Sequence, residues 1–207
     1  MKNILITQKA YKNKHGSLNW SIENNWYEYF KSKKINLIPL GKGALSEKEL
    51  SCLKPKALIM SGGNSPYKIE KNNENFIREK NDKIIFRFAT KKKIPILAIC
   101  GGFQRIASFY KSKIIKINHH VKKFHLINVE KKIFNIKIGN IKINSYHNYA
   151  IKKLPKHFNK IVKCKDNSIE MAYSKDYNIL CLMFHPERFN PSQNKINKIV
   201  FSHLKIK

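Results

Sequence analysis

The chain has 207 residues, enough for one well-buried core, and carries 42 Lys and Arg against 13 Asp and Glu, a formal charge of +29. No apolar run approaches the roughly 18 to 20 residues of a membrane helix, and the start turns polar too quickly for a signal peptide, so we expect a cytoplasmic protein. The four cysteines are dispersed without any C-x-x-C pair, which argues against a disulfide framework or a zinc site.

The basic charge by itself suggests a polyanion as partner. Lysines, however, are spread over the whole chain together with abundant Asn and Ile, which indicates a compositional bias and not one basic face. We therefore do not expect nucleic acid as a partner, although a non-catalytic polyanion-binding protein stays open. A basic surface would favour an anionic small-molecule substrate.

The first half of the chain alternates short apolar runs with polar, helically patterned stretches, which is typical of a parallel sheet covered by helices on both faces. The predicted strands are 3–7, 35–40, 56–63 and 94–99. The predicted helices are 21–34 with a Ser21 cap, 46–53 with Cys52 buried, 73–93, and 103–110. The buried stripes are predicted to contain Ile22, Trp26, Tyr29 and Phe30 in the first helix, and Phe76, Ile77, Ile84, Ile85 and Phe88 in the third.

After residue 110 the segments become short and β-branched, bounded by polar residues, Gly and Asn. This pattern predicts an antiparallel extension of the sheet, with strands at 113–118, 124–130, 133–139, 141–146, 160–164 and 169–174. The apolar run 177–188 should return to the central sheet, and 191–207 should form a final helix. We see no internal repeat and predict a single domain, 1–207.

A cysteine stands where the strand "IPILAI" ends and two glycines precede a helix. This arrangement lifts a nucleophile above the edge of a sheet, and the sharp turn requires small neighbours, which Gly101 and Gly102 provide. The positive end of the following helix favours a thiolate, and the Gly101 amide is placed to bind an oxyanion. A buried structural Cys100 remains the alternative if the motif is taken alone.

The segment "FHPER" supplies a base, because His185 ends an apolar strand and Glu187 follows two residues later. In an extended chain both side chains point to the same side, so the carboxylate can hold one imidazole nitrogen and leave the other for a thiol. A third feature is "LIMSGGNSP", where Gly62 and Gly63 end a strand and let backbone amides approach a substrate.

Taken together, "LIMSGGN", "IPILAICGGFQ", "INSYHNYAI" and "FHPER" resemble the class I glutamine amidotransferase-like superfamily, in particular its γ-glutamyl hydrolase (peptidase C26) branch. The resemblance runs nearly end to end and implies an α/β fold, a three-layer α/β/α sandwich with a flavodoxin-like, mostly parallel sheet. It implies a Cys100, His185 and Glu187 triad, oxyanion amides at Gly63 and Gly101, and a γ-glutamyl contact from Gln104. Two positions depart from the branch: Ala98 replaces a usual Gly, and Gly101 a frequent Arg.

The resemblance implies hydrolysis of a γ-glutamyl amide through a thioester, releasing glutamate, without a cofactor. The loop "SGGNSP" lacks the Gly-Gly-Pro usual in amidotransferases, which favours a stand-alone hydrolase over a glutaminase subunit. The "SGGN" loop and the "REKND" helix are similar to those of enzymes that cleave γ-glutamyl-CDP-amidate for capsule phosphoramidate modification. Hydrolysis of γ-glutamyl-polyamine or γ-glutamyl-aminobutyrate is the alternative, and a homo-oligomer or a synthetase partner stays open.

Further candidates are less specific. His147 in "SYHNY" is a candidate site residue, and Arg78 is expected either to contact an acidic substrate group or to lie on a solvated helix face. His119, His120 and His125 have no carboxylate or cysteine near them in sequence, so we predict no metal site and expect these rings to shape the pocket entrance.

Overall fold

The computed structural model describes residues 1–41, 46–130 and 132–206. The strands are β1 Lys2–Thr7, β2 Lys9–Lys12, β3 Leu18–Ser21, β4 Ile35–Leu40, β5 Ala57–Met60, β6 Ile96–Ile99, β7 Ile114–Lys116, β8 Val121–Val129, β9 Gly139–Tyr146, β10 Tyr149–Ile151, β11 Asn159–Lys163, β12 Ile169–Ser174 and β13 Ile179–Leu182. The helices are α1 Asn25–Phe30, α2 Glu47–Cys52, α3 Asn73–Lys91, α4 Gly101–Phe109 and α5 Gln193–Leu204.

A seven-stranded sheet forms the centre of the molecule, in the order β11-β12-β13-β6-β5-β1-β4. The strands from β13 to β4 run parallel, whereas β12 and β11 add to the edge in antiparallel fashion. The predicted sheet, mostly parallel with an antiparallel extension, is therefore confirmed, but the extension consists of β11 and β12. The predicted strands at 113–118, 124–130 and 141–146 instead form separate two-stranded sheets, β7 with β10 and β8 with β9. Because β5 and β6 are parallel neighbours, with Met60 opposite Ala98, the loops after both strands meet at one edge.

Helices cover both faces of the sheet. Trp26 of α1 and the apolar face of α5 pack on one side with Ile59 and Leu97, while α3 and α4 pack on the other with Leu58. The central strands are buried on both faces, which explains their continuous apolar runs. This is the predicted three-layer α/β/α sandwich. Among the described residues, no helix has the length and apolarity to cross a membrane.

Several local predictions are wrong. The first helix starts at Asn25 and not near Ser21, because Leu18–Ser21 pairs with Lys9–Lys12 as a β-hairpin. Cys52 is exposed, since the short helix α2 buries only Leu50. The predicted strand 133–139 is replaced by an isolated bridge between Ile133 and Ile136, and Gly139 already belongs to β9, although Ile133 lies in the core.

Helix α3 departs from its predicted buried stripe, mainly in its first half. Ile85 and Phe88 are buried as predicted, but Phe76 and Ile84 are 48% and 42% exposed and Ile77 is only half-buried. Polar residues take the inward positions instead, namely Asn75, Arg78, Asn81 and Asp82. The inner face of this half of the helix therefore meets polar groups at the edge of the sheet.

Candidate active site

Cys100 occupies a strained turn between β6 and α4. Its backbone has φ 46° and ψ −106°, a conformation that costs a non-glycine residue free energy and is found mainly at functional sites. A Cβ at Gly102 would lie 2.1 Å from the Met60 carbonyl oxygen, so only glycine fits after the turn. The predicted elbow is therefore present. The methyl group of Ala98 is fully buried in the core and does not prevent this geometry.

His185 and Glu187 lie beside this elbow. The Nδ1 atom of His185 lies 2.7 Å from Oε1 of Glu187, and both residues are buried. β13 ends at Leu182, so the His–Glu contact forms across a turn and not, as predicted, along extended chain. The imidazole lies beside the Cys100 side chain: both residues line one cavity, and a Cβ at Gly62 would lie 2.8 Å from Cε1 of His185 and 3.6 Å from Cβ of Cys100, which completes a thiol–imidazole–carboxylate series.

The electrostatics of this series favour a thiolate. Burial raises the pKa of Cys100, but the charge of His185 outweighs it, helped by the Gly101 amide, so the net pKa is lowered. Burial lowers the pKa of His185, whereas the charges of Glu187 and Cys100 raise it more, so the net pKa is raised. Such a pair supplies a nucleophile and, on the same imidazole, a proton for a leaving group.

Asn144 fixes the backbone that carries His185, a role that sequence reasoning missed. The His185 N–H donates to Oδ1 of Asn144 at 2.9 Å, and Nδ2 of Asn144 donates to the His185 carbonyl at 2.8 Å. Asn190 donates to the same carbonyl at 2.9 Å. The signal was the Asn of the "INSYHNY" motif, from which we selected only the histidine.

Arg78 anchors the loop that contains Gly62 and Gly63 by hydrogen bonds to its backbone. Its guanidinium is fully buried and donates to the carbonyls of Ser61 at 3.0 Å, Gly62 at 2.9 Å and Gly63 at 3.2 Å. Both predictions for Arg78 are therefore wrong, because it faces neither solvent nor the cavity. Since N–H and C=O of a trans peptide point in opposite directions, anchoring the Gly62 carbonyl directs the Gly63 amide away from the arginine.

Arg105 of α4 adds a second buried guanidinium, which sequence analysis did not single out. It donates to the Gly63 carbonyl at 2.9 Å and to the Asn64 carbonyl at 2.8 Å. The carboxylate of Asp82 compensates the charge of both arginines. Its Oδ2 atom lies 2.7 Å from Nε of Arg105 and 3.5 Å from Nε of Arg78. A Cβ at Gly101 would lie 2.6 Å from the Gly63 carbonyl oxygen, so this loop and the elbow require a glycine at their contact.

A cavity of about 270 Å³ opens over the thiol. Across it, Arg188 forms a bidentate ion pair with Glu23 at 2.6 and 3.1 Å, and its guanidinium lies 4.7 Å from the centre of the Tyr146 ring. The lining residues are Lys9, Glu23, Gly63, Asn64, Ser65, Glu70, Cys100, Gly101, Gln104, Tyr146, Asn148, Tyr149, His185 and Arg188. Charges of both signs therefore surround the nucleophile.

Of the weaker candidates, Gln104 lines this cavity and donates to the Tyr149 carbonyl at 2.9 Å. His147 is buried behind the same loop, with Nδ1 3.1 Å from the Tyr149 carbonyl oxygen and Nε2 3.6 Å from Oε1 of Glu170. Its pKa is lowered by burial but raised more strongly by Glu170, for a net increase.

We expected the other histidines to shape the entrance of this cavity, and that prediction is wrong. His119, His120 and His125 line a separate cavity of about 470 Å³. Our reason for predicting no metal there also fails in three dimensions. Asp166 lies 2.8 Å from Nε2 of His120, and Glu170 lies 3.8 Å from its Nδ1, although both carboxylates are remote in sequence.

Comparison with known proteins agrees with this architecture. The profile of the family "Glutamine amidotransferase class-I" matches residues 12–203. The γ-glutamyl-CDP-amidate hydrolase of Campylobacter jejuni is 34% identical over 151 residues, 72% of each chain, and a glutamine-hydrolysing GMP synthase subunit from Pyrococcus furiosus is 28% identical over 142 residues, 67% of this chain and 70% of the other. A solved structure assigned as a GMP synthase subunit from Thermoplasma acidophilum superposes with a TM-score of 0.72 at 18% identity, covering 99% of this chain and 94% of that one.

Proposed function

The chain belongs to the class I glutamine amidotransferase family, and we propose that it hydrolyses a γ-glutamyl amide through a thioester on Cys100. One observation carries the proposal: a strained cysteine at the head of α4 lies at the same cavity as His185, which in turn contacts Glu187 at 2.7 Å. These three groups meet beneath an open cavity, where an amide can reach the sulfur.

The reaction follows from the residue types. The Cys100 thiolate attacks the γ-carbonyl carbon, and the amides of Gly63 and Gly101 bind the resulting oxyanion. As the C–N bond breaks, the imidazolium of His185 gives its proton to the departing nitrogen, leaving a γ-glutamyl thioester. Water then attacks the thioester while His185 takes its proton, so that glutamate leaves and the thiol is restored.

We infer that the substrate is γ-glutamyl-CDP-amidate, as in the Campylobacter jejuni relative, with capsule phosphoramidate synthesis as the process served. Two cations at the cavity, Lys9 and Arg188, suit a diphosphate group, and the Tyr146 and Tyr149 rings are available to a base. Glu70 suits the α-ammonium group of the glutamyl moiety, whereas both oxygens of Glu23 are engaged by Arg188. A thiol nucleophile functions in a reducing compartment, which supports a cytoplasmic location.

A glutaminase subunit is the second candidate, because a relative of similar coverage is a GMP synthase subunit. In that case the leaving group is ammonia and a synthetase partner is needed. The loop that holds Gly63 continues as Asn-Ser-Pro, and the Asn64 side chain is bound to Asn75 and to the Ala10 backbone. Contacts within this chain therefore hold the loop in place, which favours activity without a partner protein.

The test measures glutamate release by the purified full chain from γ-glutamyl-CDP-amidate, γ-glutamyl-aminobutyrate, γ-glutamyl-putrescine and glutamine. We expect turnover of the CDP compound, lost in Cys100→Ala and retained in Cys52→Ser, the matched control at an exposed thiol. Turnover of one of the other γ-glutamyl amines instead would show that the substrate assignment is wrong and would identify the substrate. Release from glutamine alone, or from no compound, would overturn the stand-alone hydrolase.

A further inference from the structure

Three buried side chains meet next to the candidate active site without touching its nucleophile. His120 precedes β8, His147 follows β9, and Glu170 lies on β12. The Glu170 Oε1 atom is 3.6 Å from Nε2 of His147 and 3.8 Å from Nδ1 of His120, and one ligand atom from each residue lies within 4.8 Å of the others. These separations are too long for hydrogen bonds. Two ligands on one tetrahedral ion with bonds of about 2.1 Å stand about 3.4 Å apart.

The outer nitrogen of each imidazole already has an acceptor. Nε2 of His120 lies 2.8 Å from Oδ2 of Asp166, and Nδ1 of His147 lies 3.1 Å from the Tyr149 carbonyl oxygen. A ring N–H donated to each acceptor leaves the inner nitrogen with a lone pair directed at the cluster. Metal-binding histidines have the same arrangement, with the second nitrogen bound to a carboxylate or carbonyl.

Two of the inner atoms lack donors: within the described parts of the chain, Nε2 of His147 and Oε2 of Glu170 are buried without a hydrogen-bond partner. The Ser168 hydroxyl lies 3.1 Å from Oε1 of Glu170, but it is closer, at 2.7 Å, to Oδ1 of Asp166. Ser145 is 3.4 Å from Nδ1 of His120, but its hydroxyl donates to the His120 carbonyl at 2.6 Å. Three acceptors therefore face one another, which is unfavourable unless a cation lies among them.

An ion can reach this cluster from outside. The cavity of about 470 Å³ has His120 and Asp166 in its wall, together with Cys164 and the half-buried His125. The His125 ring centre is 4.3 Å from that of His120, and its Nε2 atom is also buried and unpartnered among residues the structure describes. Further donors thus border the entry path.

We propose that His120, His147 and Glu170 bind a divalent transition-metal ion, and that the ion is zinc. Two imidazoles and one carboxylate form a donor set that zinc accepts and that magnesium and calcium, which prefer all-oxygen ligands, do not. The ion joins β12 of the central sheet to the segment 146–149. That segment places Tyr146 and Tyr149 at the active-site cavity, so the ion has a structural role there. The site includes neither Cys100 nor any step of the hydrolysis.

The proposed zinc site is tested by measuring Zn²⁺ and Co²⁺ binding to the full chain, purified without a tag. The background is Cys52→Ser, Cys100→Ala, because an exposed thiol and the Cys100–His185 pair bind zinc themselves. We expect about one equivalent of Zn²⁺, and a visible absorption band on Co²⁺ addition that Zn²⁺ displaces. Glu170→Gln should weaken binding by more than about 100-fold, and Asp166→Asn, which changes only the partner of His120, by about 10- to 100-fold.

His157→Asn is the matched control, because His157 also contacts a carboxylate, Asp176 at 3.3 Å, but on the exposed surface. This variant should bind zinc normally. Glu170→Gln tests folding separately, since its amide can donate to an imidazole and keep the metal-free cluster satisfied. A folded background protein that binds no zinc, or binds it equally in Glu170→Gln, would overturn the site. A His147 imidazolium in zinc-saturated protein, seen by NMR, would also overturn it and identify a proton as the occupant.

Discussion

Gly62 faces the imidazole of His185, and Gly62→Ala should separate that ring from Cys100. A Cβ at position 62 would lie 2.8 Å from Cε1 of His185 and 3.6 Å from Cβ of Cys100. Gly62 is outside the left-handed φ region, where Gly16, Gly63 and Gly139 lie, so alanine can adopt its backbone. The perturbation is therefore steric and directed at one atom of the base.

The size of the effect follows from this contact. Carbon atoms pack at about 3.5 to 4.0 Å, so the ring or the loop must move by about 0.7 to 1.2 Å. A misplacement of about 1 Å costs about 100-fold in rate, so kcat/KM should fall by about that factor, or about 2.7 kcal/mol of transition-state stabilisation. The imidazolium also moves from the thiolate, so the pKa of Cys100 should rise.

Two assays measure these changes, namely glutamate release from γ-glutamyl-CDP-amidate and the pH dependence of Cys100 alkylation by iodoacetamide. Alkylation does not depend on the substrate assignment. Gly139→Ala is the control, because it strains a residue at φ 65° but places its methyl group more than 4 Å from the described atoms around it. It should lose about 1 kcal/mol of stability and keep its kcat/KM. A folded Gly62→Ala protein with unchanged kcat/KM and alkylation profile would refute the described geometry.

Other substitutions test other parts of the molecule. Glu187→Gln should lower the pKa of His185 and reduce kcat by about 10² to 10⁴-fold; an alkylation profile identical to wild type would contradict the ion pair. Asp82→Asn leaves two buried guanidiniums without a carboxylate and should cost about 3 to 5 kcal/mol in urea denaturation. Arg188→Gln should raise KM for the CDP compound at nearly constant kcat, with a difference from wild type that shrinks in high salt. Burial lowers the pKa of His203 from 6.5 to about 4, so the unfolded state binds more protons between these values and stability should fall as pH drops from 6.5 to 4; His203→Gln should flatten this dependence.

The sheet and the meeting of the three candidate residues Cys100, His185 and Glu187 could be predicted because their signals are local. A strand that is buried on both faces is continuously apolar, and a Cys followed by two Gly at the end of such a strand is visible in the sequence, although the contacts that require the glycines, 2.1 Å to the Met60 carbonyl and 2.6 Å to the Gly63 carbonyl, come from another segment. The His185–Glu187 contact also joins neighbours in sequence. The predicted geometry of this contact was wrong in detail, because the two residues meet across a turn and not along an extended strand.

The interior of α3 could not be predicted from hydrophobic periodicity. Arg78 and Asp82 are buried because Arg105 and the carbonyls of residues 61–63 compensate them, and those partners come from other segments. A pattern that assigns the buried face to Phe76 therefore selects the wrong side of the helix. Burial of a charge depends on its partners, which only the fold brings together.

Asn144 and Glu170 show the same limit at the site. The amide of Asn144 bonds to the backbone at position 185, 41 residues away, and Glu170 meets His120 from a strand on the far side of β13. Neither contact follows from spacing in the chain. The absence of a nearby carboxylate in sequence is therefore no guide to which carboxylates lie near these histidines in the fold.

A γ-glutamyl thioester on Cys100 is the intermediate on which the proposed reaction depends. Acid quenching during turnover of γ-glutamyl-CDP-amidate, followed by intact-protein and peptide mass spectrometry, detects it directly. We expect a mass increase of one glutamyl group on the peptide that contains Cys100, a signal that is absent in Cys100→Ala and accumulates when deacylation is slowed in Glu187→Gln. Glutamate release by wild type without any such adduct, or release that persists in Cys100→Ala, would contradict the thioester mechanism.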